Sequence, residues 1–156
     1  MPNLSGKVAV IIGSSGGIGG AITNILVQNN DYNKIYTFNR NIIPNSNNKI
    51  INGYINFNDE SSISTAVKVF KNNNERIDLL FVCSGILHDK DSSIYPEKSL
   101  NAINLSSMQK VFLINTFGPT MVAKYFFPHL TKDNKAIFAV ISAKIGSIED
   151  NYLGGW

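Results

Sequence analysis

The chain alternates short apolar runs with segments of helical periodicity. Val8 to Ile12 is a continuous apolar run closed by glycines at 13, 16, 17 and 19, and it reads as a buried strand entering a tight turn. Beyond the glycines, apolar residues recur at Ile18, Ala21, Ile22, Ile25 and Leu26, the spacing of a helix with one apolar face. Residues 34–39 and 49–55 read as a second and a third strand around the polar loop 41–48, which holds Pro44. Ile63, Ala66, Val67 and Phe70 predict a helix over 59–71, and the apolar run 77–83 predicts a strand covered on both faces. Residues 86–100 look irregular, with Pro96 as a breaker. A helical pattern then fills about 100–127 in two pieces before Pro128, and residues 135–141 read as a fifth strand that delivers Ser142 to the loop 143–156. No repeat or linker divides the chain, so one domain over 1–156 is expected. Strands alternating with helices predict an α/β fold, a parallel sheet with helices on both faces.

Composition narrows the setting. A chain of 156 residues that is 44% hydrophobic is long enough for a sizeable core and has the balance of an ordinary soluble globule. No apolar run reaches membrane-spanning length, and 8–12 is too short for a signal-peptide core, so a cytoplasmic protein with no membrane partner is expected. The single cysteine, Cys83, excludes an internal disulfide and reads as a small buried hydrophobe. The net charge of +3 is scattered along the chain without a basic cluster, so no nucleic-acid partner is expected. His88 and His129 lack metal-ligand spacing, and no metal site is expected. His88-Asp89 reads as an exposed loop pair, and His129 as a helix-end residue.

The glycine turn carries the most chemistry. A phosphate needs bare N–H groups, close approach and the positive end of a helix dipole. Glycines at 13, 17 and 19, between an apolar strand and a periodic helix, supply these, although the same residues also read as a plain strand-to-helix turn. In parallel sheets ligands bind at the carboxyl ends of the strands, where this chain places Gly13, Arg40, Asn56, Gly85 and Ser142 after five successive strands. Arg40 follows the second strand, within Asn39-Arg40-Asn41 and with no acid beside it. A cation there suits the 2′-phosphate of NADP (NADPH), whereas NAD sites place a carboxylate, so NADP is favoured over NAD. A solvated loop arginine is the other reading. Pro119, four residues after Asn115, has no N–H to offer the Asn115 carbonyl. The freed carbonyl can hold a water beside the Asn115 amide, or Gly118-Pro119 simply separates two helices.

With these features in order, the chain resembles the short-chain dehydrogenase/reductase family. Gly85-Ile86-Leu87-His88-Asp89, Pro96-Glu97-Lys98-Ser99-Leu100, Asn115-Thr116-Phe117-Gly118-Pro119 and the stretch from Ser142 to Trp156 are similar to the C-factor/sniffer-type carbonyl reductases. The resemblance implies a Rossmann-type doubly wound parallel sheet in the order 3-2-1-4-5, ending before the family's last strands. It also implies an NADP-dependent oxidoreductase that moves a hydride between the nicotinamide and a small carbonyl or alcohol substrate. Gly13, Gly17 and Gly19 would line the pyrophosphate, with Ser15 offering a hydroxyl nearby and Ile18, Arg40, Asn56 and Gly85 completing the cofactor site. Ser142 would polarise the substrate oxygen and Asn115 would hold a relay water.

The family's general acid/base is a tyrosine with lysine four residues later, and no such pair occurs. Tyr36 meets Arg40, Tyr152 meets Trp156, and Tyr95 has Lys98 one residue too early. Relatives continue past the matching Gly-Gly-Trp into that pair, so the chain as written is expected to be the amino-terminal, cofactor-binding part of a reductase, without useful turnover. A non-catalytic NADP-binding module, a sensor or a partner of a full-length relative, is the alternative. Val82-Cys83-Ser84-Gly85 replaces the family's Asn-Asn-Ala-Gly, and Asn56 stands where an aspartate is common. The helix 106–127 carries Val111, Phe112, Ile114, Phe117, Val122, Phe126 and Phe127, more apolar surface than one sheet face needs, and strand five would be an edge. Both features predict a chain that is marginal in isolation, self-associating or dependent on a partner, a homo-oligomer through that helix being one form.

Overall fold

The computed structural model describes residues 6–90, 94–150 and 152. Its strands are β1 (Lys7–Ile12), β2 (Tyr32–Asn39), β3 (Ile50–Tyr54), β4 (Leu79–Val82) and β5 (Ile137–Val140), all parallel in the order β3-β2-β1-β4-β5. That is the doubly wound order expected. The order reverses between β1 and β4, so the chain leaves these neighbouring strands in opposite directions and opens a crevice above their carboxyl ends.

Continuous apolar sequence makes β1 the central strand, with Val8 to Ile12 buried on both faces. On one face Val10, Ile12, Tyr36, Phe38, Leu80 and Val82 pack against α2 (Glu60–Ala66), α3 (Lys68–Asn72) and α5 (Gly118–Phe126). The ring of Phe70 meets Tyr36 edge-on at 4.7 Å and Phe126 at 5.9 Å between centroids. On the other face Ala9, Ile11 and Ile35 receive Leu26 of α1 (Gly17–Gln28).

Three elements differ from the pattern reading. In α1 the buried residues are Gly19, Thr23 and Leu26, while Ile18 and Ile25 are 54% and 65% exposed. Small residues let the start of the helix lie close to the turn, and the Thr23 hydroxyl is satisfied by donating to the Gly19 carbonyl at 2.8 Å. The helix expected over 59–71 breaks at Val67 into α2 and α3. In β4, Leu80 and Val82 are fully buried but Leu79 and Phe81 are only half-buried, because α1 lies over β1 and β2.

Three helix ends are satisfied by named side chains. Asp59 caps α2 through the Ser61 N–H at 2.9 Å, and Asn104 caps α4 (Leu105–Phe112) through the Ser106 and Ser107 N–H groups at 2.9 and 3.1 Å. The C-terminus of α1 carries no basic residue of its own. Lys49 reaches it from beside β3, donating from Nζ to the Val27 and Asn29 carbonyls at 2.9 and 3.1 Å. From α4 the chain runs through a π-helical turn, Leu113–Phe117, into α5. Along this helix Val122 and Phe126 belong to the core, whereas Phe112, Phe117 and Phe127 are about half exposed.

Candidate functional site

A cavity of about 550 Å³ opens at the carboxyl ends of β1 to β4. It is lined by Gly13, Ser15, Arg40, Asn56 and Gly85, five of the residues singled out by sequence, and by Asn39, Phe57, Ser84, Ile86 and Lys110 among others. Its floor is the glycine turn. Gly13 adopts φ +87°, and a Cβ there would lie 2.6 Å from Ser84 Oγ. Gly19 packs under the Gly13 carbonyl so closely that a Cβ would collide with it. Positive φ at one glycine and backbone contact at the other explain the residue type at both. Gly17 faces open space.

Inside the turn, the Gly13 N–H donates to the Phe38 carbonyl at 2.9 Å and the Gly16 N–H to the Gly13 carbonyl at 3.2 Å. The Ser15 N–H donates to Asn39 Oδ1 at 2.9 Å, which leaves the exposed Ser15 hydroxyl on the cavity side. Helix α1 starts at Gly17 with Gly16 as its cap residue and, unlike α2 and α4, has no side chain bonded to its first turn. The N–H groups of Gly17, Ile18 and Gly19 have no carbonyl within the helix to meet, and the dipole adds positive potential there. This is an anion-accepting end.

Arg40 sits exposed at the rim, and among the described residues no carboxylate forms an ion pair with it. Asn56 closes a local turn, its Oδ1 accepting the Asn58 N–H at 3.0 Å, while its own N–H donates to Ser62 Oγ at 2.9 Å. On the opposite wall Lys110 pairs with Asp89 at 3.0 Å beside an exposed His88, so this loop pair does border the cavity. Cys83 also lines it and is half-buried; burial pushes its thiol up to about 11.

Asn115 lies beside the cavity on the π turn. Its amide is engaged, Oδ1 accepting the Ile86 N–H at 2.8 Å and Nδ2 donating to the Ile86 carbonyl at 2.7 Å. The side chain therefore anchors the loop after β4, and Pro119 leaves the main-chain carbonyl without its usual helical donor. The Gly118 N–H is drawn to the Leu113 carbonyl, Pro119 has no N–H, and the Thr120 hydroxyl serves the Thr116 carbonyl at 2.8 Å. Ser142 is exposed just past β5 and is not among the cavity-lining residues.

Among the described residues, no tyrosine lines the cavity. Tyr36 is buried, donates its hydroxyl to Glu75 at 2.5 Å, and is pushed up to about 12 by burial and by that bond. Tyr95 and Tyr152 are exposed. The residues that the sequence pattern did not single out are Asn39, which ties β2 to the turn, Phe57, and Lys110, the partner of Asp89. Only Asn39 carried a sequence signal, its place directly before Arg40.

No helix among the described residues is long and apolar enough to cross a membrane. The family model for short chain dehydrogenases matches residues 7–152. No curated protein matches the chain in sequence. Among solved structures, the NADPH-bound carbonyl reductase from chicken fatty liver superposes with a TM-score of 0.77 at 19% identity, covering 96% of this chain and 62% of that one. A Caenorhabditis elegans protein assigned as the carbonyl reductase Sniffer gives 0.78 at 22% identity, with 97% and 69% covered. A Burkholderia multivorans protein assigned as a short-chain alcohol dehydrogenase gives 0.79 at 16%, with 96% and 67% covered. At these identities the likeness is one of fold, and this chain spans about two thirds of the length of each.

Proposed function

The chain belongs to the short chain dehydrogenase family, and from that membership we propose that it forms the NADP(H)-binding part of an oxidoreductase acting on a small carbonyl or alcohol compound. The observation that carries the proposal is the cavity itself, which gathers the turn at Gly13, Arg40, Asn56 and Gly85 over the sheet's switch point. An uncapped helix start, a rim cation and a neutral strand end at Asn39 fit a dinucleotide with a 2′-phosphate. NADPH would supply the hydride.

The chain's own residues do the holding. The N–H groups of Gly17, Ile18 and Gly19, with the Ser15 hydroxyl, accept the pyrophosphate. Arg40 takes the 2′-phosphate through a charge-assisted bond worth about 1.5–3 kcal/mol. Asn56 and Phe57 border the adenine, and Gly85 leaves backbone room for the rest. The Asn115 carbonyl holds a water, and Ser142 orients the substrate oxygen. The chain has no tyrosine with lysine four residues on, and general acid–base catalysis is worth typically 10²–10⁴-fold. The 156-residue polypeptide alone therefore binds cofactor with little turnover. This same feature favours the second reading, a non-catalytic NADP-binding module. The exposed Phe112 and Phe117 support self-association through the helix 106–127.

Titration with NADPH and NADH tests the proposal. The chain should prefer NADPH by about ten-fold or more, and Arg40→Asp should abolish the preference. Equal NADPH affinity in that variant would defeat the cofactor assignment.

A further inference from the structure

Asn39 is the last residue of β2, directly before Arg40, and is 5% exposed. Both ends of its amide are committed to the glycine turn: Oδ1 accepts the Ser15 N–H at 2.9 Å and Nδ2 donates to Ser14 Oγ at 2.8 Å. Its main-chain carbonyl accepts the Ile55 N–H at 3.1 Å, one residue before Asn56. One residue thus joins the segments that follow β1 and β3 to the end of β2.

We propose that Asn39 is a positioning residue for the dinucleotide, an uncharged clamp that holds the Gly13–Gly19 turn in its phosphate-accepting shape. The proposal rests on the NADP reading above. With the Ser15 N–H drawn to Asn39 and the Gly16 N–H to Gly13, the turn directs two of its donors inward. The donors left for an anion are those at the start of α1, which converge on one point. Releasing the clamp frees Ser14 and Ser15 to move and spreads those donors over several arrangements.

The residue type follows from the chemistry of its neighbours. Alanine at 39 would lose both bonds. Aspartate would keep them, because its carboxylate accepts the Ser15 N–H and the Ser14 hydroxyl can rotate to donate. It would, however, place a negative charge beside the Arg40 site for the 2′-phosphate. Asparagine clamps the turn without that charge, so turn shape and tolerance of the 2′-phosphate are separable at one position.

The test titrates the 156-residue chain, Asn39→Ala and Asn39→Asp with NADPH, NADH and 2′-AMP, which carries the 2′-phosphate but cannot reach the turn. Asn39→Ala should weaken NADPH and NADH alike by about ten-fold, two ordinary hydrogen bonds' worth, with 2′-AMP binding unchanged. Asn39→Asp should retain NADH binding while weakening NADPH and 2′-AMP. Undiminished NADPH binding by Asn39→Ala overturns the clamp, as does an equal loss of 2′-AMP, which marks general loss of structure. If Asn39→Ala does not fold, loss of NADH binding by a folded Asn39→Asp overturns it. Binding of neither dinucleotide by the unaltered chain defeats the cofactor reading itself.

Discussion

Asn115 and Ile86 exchange two hydrogen bonds, from the Ile86 N–H to Oδ1 at 2.8 Å and from Nδ2 to the Ile86 carbonyl at 2.7 Å. A side-chain amide here imitates a strand partner. It fixes the loop after β4, where Gly85 and Ile86 line the cavity, to the π turn. Asn115→Ala should cost about 1 kcal/mol, since water replaces part of what is lost at this exposed site. Amide exchange at Ile86 should accelerate by more than this global loss accounts for. Unchanged exchange there would mean that the loop is held by something else.

Phe57 occupies the space into which a Cβ on Gly118 would project. The contact joins the loop after β3 to the start of α5, just past the π turn. Gly118→Ala should destabilise the chain by about 1–3 kcal/mol through overpacking. Phe57→Leu in the same chain should recover part of the loss. Additive losses in a double-mutant thermal melt would rule out the contact as the cause.

Burial raises the Cys83 thiol to about 11 from an ordinary 9.0. At about pH 8 the folded chain should therefore hold a roughly hundred-fold smaller thiolate fraction than the unfolded one. Alkylation by iodoacetamide should be slow until denaturant is added. Rapid labelling of the folded chain would contradict this environment.

His129 is half-buried against Phe70, and burial, with the charges of Arg76 and Lys71, lowers its pKa from the ordinary 6.5. The unfolded state then binds more protons than the folded state below about pH 6.5. The stability linked to this group is complete above that value and is lost as pH falls through it toward the folded pKa. Urea midpoints should decline as pH falls below about 6.5, and His129→Gln should show a shallower decline. An equally steep decline in the variant would assign the effect to other groups.

Much of this architecture was legible in the chain because its signals are local. The apolar run Val8 to Ile12, the glycines behind it, the spacing of Ile63, Ala66 and Phe70, and the Gly118-Pro119 break each act within a few residues, where strand, turn and helix preferences are set. Together they implied the parallel sheet and the strand ends at Gly13, Arg40, Asn56 and Gly85, while the strand order followed from the family resemblance. Burial depends on what lies across the fold, and there the pattern was insufficient. Ile18 and Ile25 have the spacing of a core face yet point outward, because Gly19 and Thr23 bring the helix closer on another side. Leu79 and Phe81 look like a strand covered twice, but α1 lies chiefly over β1 and β2 and leaves them partly open. Asn115 was legible as a site residue, and its amide's attachment to Ile86 was not. Asn39 passed as the neighbour of Arg40, although its amide holds the turn. The sequence by itself determined the elements, their order and the chemistry at each strand end. Tertiary structure decided which polar groups found partners, because a hydrogen bond between residues far apart in the chain exists only once the sheet has brought them within 3 Å or so of each other.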